Sequence, residues 1–539
     1  MRAPALLVLV LLLASGAALL PAAELDERGF APVLFAGVSF HEVDLVATRD
    51  MRLHAEVYLP DRPLRSDAPD RFPTVLVLSP YWRNGTGGEP IGYRPYDFLV
   101  QELAPRGYAI VYGDLVGSGG SSGCWDFMGP VERAGAVAMV EAIAAQPWSD
   151  GKVGMMGISY DAMTQIMAAS DRAPHLVTVV PVAPLTHAYG GLMQNGVRYG
   201  GHWRLVGLHY ESESLKPLAE SRARSAGWSE RLAASAPCVA ENHAAELDGD
   251  AYSPYFQARD YRPLGAEVQA SVFYIQGFRD RNVKPDNFGA WFDAVPTLKK
   301  AWIGSWPHTF PDARGGGRDE LYPTLQRWFD HTLKGIDNGI DREPAYDIED
   351  SRGRWRVAHE WPPREGDELA LYFSADGALL PAPPTGGSVR VGGVEALPGA
   401  LPGQPARSVL LTSVTLPDGA YVAGSPVLRL TLASDRPVGQ LLARLYDNGW
   451  RVTQGAIDLA YRHDLARAEP LVPGEPVEVT ITMYPIEHDV VPGRSLVLEL
   501  ATHDPSEWYE DDLSVATLTV ATDGSSYLLL PTMPRPHAP

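Results

Sequence analysis

KVGMMGISYDAMTQIMAAS, residues 152–170, is the stretch from which the architecture follows. Its opening, KVGMMG (152–157), is a buried-strand run, and DAMTQIMAAS (161–170) has the composition of a helix. Ser159 stands on the turn between them, with the small residue Gly157 two positions earlier. A strand-to-helix turn this tight strains the backbone and lifts its central side chain clear of the strand end, which suits a nucleophile. The short G-x-S-x-G pattern is incomplete, because Asp161 occupies the second glycine's place. Ala162 keeps the next position small, and Asp161 falls in the first helical turn, where a carboxylate meets the positive end of the helix dipole.

Working outward, MRLHAEVYLP (51–60) alternates as a strand, while PTVLVLSP (73–80) and YAIVYGD (108–114) are continuous apolar runs. DFLVQELAPRG (97–107) and ERAGAVAMVEAIAAQPW (132–148) have helical spacing, and LVTVVPVAP (176–184) is another buried strand. From His187 buried-strand runs cease, then return with ASVFYIQG (270–277) and KKAWIGSWPH (299–308) before a closing helix, TLQRWFDHTLKG (324–335). Beyond Asp341 the texture changes to short alternating runs such as VLRLTLASDRP and PVEVTITMYPI, spaced by Pro and Gly. Buried strands alternating with helices specify a parallel sheet covered on both faces. The expected fold is α/β: an α/β-hydrolase core over 24–186 and 263–340, a helical cap inserted at 187–262, and a C-terminal all-β jelly-roll or sandwich over 341–539.

The 539 residues are 45% hydrophobic, enough for a large core, and the formal charge of −21 argues against nucleic acid or anionic membranes as partners. MRAPALLVLVLLLASGAALLPAA (1–23) reads as a signal peptide cut near Ala22 or Ala23, so the expected location is secreted or periplasmic, with no membrane partner after cleavage. Two cysteines follow, Cys124 and Cys238; one disulfide or two buried thiols both fit an oxidising compartment. No H-E-x-x-H or C-x-x-C spacing occurs, so neither metal nor cofactor is expected.

A serine nucleophile needs a base, and the base needs an orienting carboxylate. In this fold they follow the serine in the order acid, then histidine, each beyond a strand end. Asp280 follows VFYIQG and His308 closes AWIGSWPH; Asp286 and Asp293 are neighbouring competitors for the acid. The N–H of Tyr160 is one candidate oxyanion donor. Tyr81, just after LVLSP, fits equally a second donor through its phenol or a packed aromatic.

GISYDAM together with PWSDGKVGMMG, FRDRNVKP, IGSWPH, RWFDHTLKGIDNG and DLVGSGGSSG resembles the Xaa-Pro dipeptidyl-peptidase/cocaine-esterase family of serine hydrolases. SRGRWRVAHEWPP and LRLTLASDRP extend the resemblance over essentially all the mature chain. That family's turn reads G-x-S-Y-x-G, placing its glycine at Ala162, and Val116 stands where its D-x-R-G loop has arginine. The resemblance implies Ser159 as nucleophile, Asp280 as acid, His308 as base and Tyr81 as an oxyanion donor. It implies release of Xaa-Pro dipeptides, with hydrolysis of small acyl esters or amides as the alternative; a non-catalytic binding protein on the same fold is a remote third. The substrate is a small peptide or ester. A substrate ammonium would need acids, for which Glu211 and Glu213 are candidates beside a solvated helix face, and Asn195 is a candidate pocket residue. Oligomeric state, including a homodimer, is left open.

Overall fold

The structure is a computed structural model that describes residues 30–48, 51–81, 94–199, 228–247, 250–312, 320–392, 408–504 and 516–536. Strands β1 (Phe35–Thr48) and β2 (Met51–Pro63) form an antiparallel ribbon at one edge. β3 (Phe72–Ser79), β4 (Ala109–Asp114), β5 (Ser149–Ile158) and β6 (Leu176–Val182) pair parallel in the order β4-β3-β5-β6, with β2 antiparallel to β4. The chain then makes a small hairpin, β7 (Met193–Gln194) and β8 (Val197–Arg198). It rejoins the sheet as β9 (Ser271–Gly277), β10 (Lys299–Gly304) and β11 (Tyr346–Glu349), all parallel, and ends with antiparallel β12 (Trp355–Ala358).

Every residue of β3 and β4 is buried, as their unbroken apolar runs require of strands covered on both faces. Helices α1 (Pro130–Ala144) and α2 (Tyr160–Ser170) pack on one another and on the central strands. The closing helix, α4 (Leu321–Lys334), covers β5 and β6, and between it and α2 in the chain runs α3 (Trp228–Leu247) of the cap. A Cβ on Gly154 of β5 would lie 3.1 Å from Leu333 of α4, so the strand glycine permits that close approach. Gly335 ends α4 in the left-handed conformation, at φ 69°, which glycine adopts without a Cβ penalty.

The first sheet does not stop at Asp341: β11 and β12 extend it, and the second sheet begins at Asp367. The physical reason is that Tyr346–Ile348 find parallel partners in Ala301–Ile303, an unpaired edge that needs covering. The C-terminal domain is all-β, its strands alternating buried and open positions along Val427–Ser434 and Val477–Thr482 over a core of leucines. Two buried acids fasten the domains. Glu487 takes the Arg356 guanidinium at 2.7 Å and the Trp361 indole N–H at 2.9 Å; Asp489 takes Arg354 at 2.7 Å and Arg535 at 2.8 Å.

Cys124 and Cys238 are joined in a disulfide, with Cα atoms 6.2 Å apart. It ties the loop after β4 to α3, and Asn242 of α3 adds a hydrogen bond to the Trp125 carbonyl. Among the described residues of the cap, helices are interrupted by the β7–β8 hairpin, whose tip lies against the all-β domain. None of the described helices is long and apolar enough to cross a membrane.

Candidate active site

Ser159 ends β5 and caps α2, with φ 63° and ψ −125°, a conformation that costs a non-glycine residue about 1–3 kcal/mol. The surrounding bonds hold it there. Its N–H donates to the Val182 carbonyl at 2.9 Å, and its own carbonyl accepts from Ala162 and Met163. A Cβ on Gly157 would come within 2.5 Å of the Asp161 Cβ, so the turn admits no larger side chain at that position. Ala162 is fully buried, its methyl accommodated where the related turn carries glycine.

Asp161 lies in the first turn of α2, as the sequence leads one to expect. It is also buried, and its carboxylate accepts the Tyr96 hydroxyl at 2.5 Å. Tyr96 in turn packs edge-on against Phe310, two residues beyond His308. The serine turn and the histidine loop are thus tied through one tyrosine, a contact between segments distant in sequence.

Asp280 lies beyond β9 and His308 beyond β10, on the same carboxyl edge of the parallel sheet as Ser159. The Asp280 Oδ2 meets His308 Nδ1 at 2.7 Å, while its Oδ1 accepts the N–H groups of Asn282 and Val283 at 2.9 and 2.8 Å. The carboxylate is therefore fully hydrogen-bonded, as a buried charge must be. The competitors lie elsewhere: Asp293 accepts the Tyr346 hydroxyl at 3.1 Å, and Asp286 bonds the side-chain amide of Asn287. Gly277 and Gly304 make room for Trp306, which crosses between the two loops and stacks on Trp355. Nothing local in the sequence marks this tryptophan as a support of the pair.

Tyr81 meets Tyr160 edge-to-face, ring centroids 6.2 Å apart. Tyr160 is buried, and its hydroxyl donates to Glu132 of α1 at 2.7 Å while accepting from Met128 N–H at 3.2 Å. Its ring is further packed by Trp125 and Phe127. This anchorage places the Tyr160 N–H at the open start of α2, where a helix has donors to spare. Glu132 itself gave no signal in the sequence, where it was one acid at a helix start.

Full burial, with Asp126 close by, pushes the Glu132 carboxyl up to about 8. Between the ordinary glutamate range and that value the folded protein keeps a proton that the unfolded chain releases, so stability falls as pH rises through this window. Glu132→Gln retains an oxygen for Tyr160 and abolishes the proton difference. From about pH 5 to about pH 9 the wild type is expected to lose on the order of 4 kcal/mol more stability than the variant, as urea unfolding would show. Parallel pH profiles would contradict this.

Asn195, a candidate pocket residue, sits at the hairpin tip with φ 46°, its side-chain amide donating to the Ala456 carbonyl and its backbone carbonyl accepting from Asp458 N–H of the all-β domain, and it lines a cavity of about 310 Å³ with Pro285 and Met483. Glu211 and Glu213 lie outside the described residues. His187 caps a short helix through Nδ1, and burial lowers its ring to about 3, which suits a structural group. Among the described residues no three His, Cys, Asp or Glu side chains gather as a metal site.

A strained serine at a strand end and a buried Asp–His pair on the same sheet edge define a serine hydrolase of the α/β-hydrolase fold. Comparison makes the family specific. Residues 50–310 match the model of X-Pro dipeptidyl-peptidase (S15 family), and residues 338–524 match its C-terminal non-catalytic domain. A Streptomyces avermitilis protein provisionally named a Xaa-Pro dipeptidyl-peptidase is 30% identical over 56% of this chain and 46% of its own length. A Bacillus anthracis protein with the same provisional name is 25% identical over 82% of this chain and 79% of its own. The fold matches a CocE/NonD family hydrolase from Staphylococcus aureus with a TM-score of 0.75, at 16% identity, over 93% of this chain and 98% of that one. The chain belongs to the Xaa-Pro dipeptidyl-peptidase/cocaine-esterase family of serine hydrolases.

Proposed function

We propose that the chain is an exported dipeptidyl-peptidase that releases Xaa-Pro dipeptides from peptide N-termini through an acyl-enzyme. The hydrogen bond of 2.7 Å between buried Asp280 and His308 is the observation that carries the mechanism, and membership of the S15 family supports the substrate class. Asp280 holds the imidazole with its proton on Nδ1, leaving Nε2 to accept the Ser159 proton. Ser159 Oγ attacks the carbonyl carbon, and the oxyanion takes hydrogen bonds from Tyr160 N–H and the Tyr81 phenol. His308 then protonates the departing amine, and water repeats the sequence on the ester to free the acid. The apolar segment before Ala23 supports export.

A fluorophosphonate probe should label the wild type and leave Ser159→Ala unlabelled; undiminished labelling of the variant would remove Ser159 from the mechanism. Ala-Pro-p-nitroanilide should be turned over and its N-acetylated form should not. Cleavage of p-nitrophenyl butyrate alone would replace the peptidase reading with the esterase one, which uses the same residues.

A further inference from the structure

The hydrogen bond between Asp280 and His308 joins two loops, so its geometry depends on what fixes each loop beyond its strand. Two backbone bonds run between them: Phe278 N–H donates to the Gly304 carbonyl at 2.6 Å, and Arg279 N–H to the Trp306 carbonyl at 3.2 Å. Each loop also carries one buried aromatic residue, two positions before its member of the pair. Phe278 precedes Asp280 and packs on Trp361, ring centroids 5.1 Å apart. Trp306 precedes His308 and stacks on Trp355 of β12, centroids 5.9 Å apart and planes 22° from parallel.

The supports of both rings converge on one side chain of the all-β domain. Glu487, buried in the strand Ile486–Val490, accepts Arg356 Nε at 2.7 Å on Oε1 and Arg356 Nη2 at 3.1 Å on Oε2. Oε2 also accepts the Trp361 indole N–H at 2.9 Å, and Oε1 the Tyr421 hydroxyl at 2.9 Å. A carboxylate gripped in this bidentate way has little freedom to turn. Arg356 follows Trp355 on β12, and neighbouring residues of a strand point to opposite faces. Glu487 therefore holds β12 by one face while Trp355 extends from the other toward the His308 loop. Through the Trp361 N–H it also fixes the ring on which the Asp280 loop rests.

We propose that Glu487 is a positioning residue for the Asp280–His308 pair, acting on Asp280 through Trp361 and Phe278 and on His308 through Arg356, Trp355 and Trp306. The all-β domain then helps to set the geometry of the hydrolase centre, which tolerates displacements of only a fraction of an ångström. This rests on Asp280 and His308 serving as acid and base, and not on the choice between peptide and ester substrates.

The test uses the full chain and measures kcat and KM for Ala-Pro-p-nitroanilide, together with the rate constant of fluorophosphonate labelling. Labelling reports how well His308 activates Ser159, whichever acyl group the enzyme prefers. Glu487→Gln turns an NH₂ against two of the four donors, and should lower kcat and the labelling rate about tenfold while KM stays within about twofold. Trp355→Leu removes the stack on Trp306 from a half-buried position, should act in the same way, and serves if the first variant does not fold. Trp355→Phe returns a ring to that position and should recover most of the loss. Unchanged labelling in both Glu487→Gln and Trp355→Leu, a loss confined to KM, or a loss that Trp355→Phe does not recover overturns the proposal. A wild type that the probe does not label removes Ser159 and His308 from the chemistry, and the proposal with them. If only p-nitrophenyl butyrate is turned over and the variants slow both its turnover and the labelling, the positioning role stands and the peptidase reading falls.

Discussion

Asp280→Asn is expected to lower kcat on Ala-Pro-p-nitroanilide by about ten-thousandfold while the protein stays folded. The Asp280 Oδ1 accepts from Asn282 and Val283 N–H groups, and these donors fix which way an asparagine amide can face. Its oxygen would remain on the two backbone donors, which turns the NH₂ toward His308 Nδ1. An NH₂ cannot accept from Nδ1–H, so the imidazole must carry its proton on Nε2 instead. In that tautomer Nε2 cannot take the proton of Ser159. Because the backbone bonds of the loop survive, urea unfolding should move little, and the loss belongs to catalysis rather than folding. Turnover within tenfold of wild type would show that Asp280 does not set the histidine tautomer.

Removing the disulfide is expected to have the largest effect on stability. The Cys124–Cys238 bond closes a loop with a sequence separation of 114, and a constraint of that length contributes about 2–5 kcal/mol by limiting the unfolded chain. Its placement matters as much as its length. Trp125, next to Cys124, packs on Tyr160, so an α3 that detaches would loosen a wall of the candidate oxyanion site. Cys124→Ala/Cys238→Ala should unfold at lower urea and turn over substrate more slowly, and a thiol reductant should move the wild type toward the variant. An unfolding midpoint unaffected by either treatment would mean that the cap is held by packing alone.

The parts of this protein that sequence made legible are those encoded by local periodicity. The buried strands of the core, α1, α4 and the turn at Ser159 each rest on a continuous run whose pattern names one conformation. The cap and the domain junction were less legible because their placement rests on partners elsewhere in the chain. β11 and β12 read as part of the β-rich half, yet β11 finds its partner in β10. Asn195 carried an apparent polar site signal, and its side-chain amide and backbone carbonyl both bond the all-β domain.

The strand–turn–helix at residues 152–170 was determined by the sequence itself, because a buried strand, a small residue and a helix leave one sterically allowed way to present Ser159. Tertiary structure alone decided that Asp280 rather than Asp286 or Asp293 meets His308, that Asp161 turns inward to Tyr96, and that Glu132 anchors Tyr160. Those choices depend on which side chains the crossing of β9, β10 and the helices brings within hydrogen-bonding reach. Distances between residues far apart in the chain carry no periodic mark for a sequence to show.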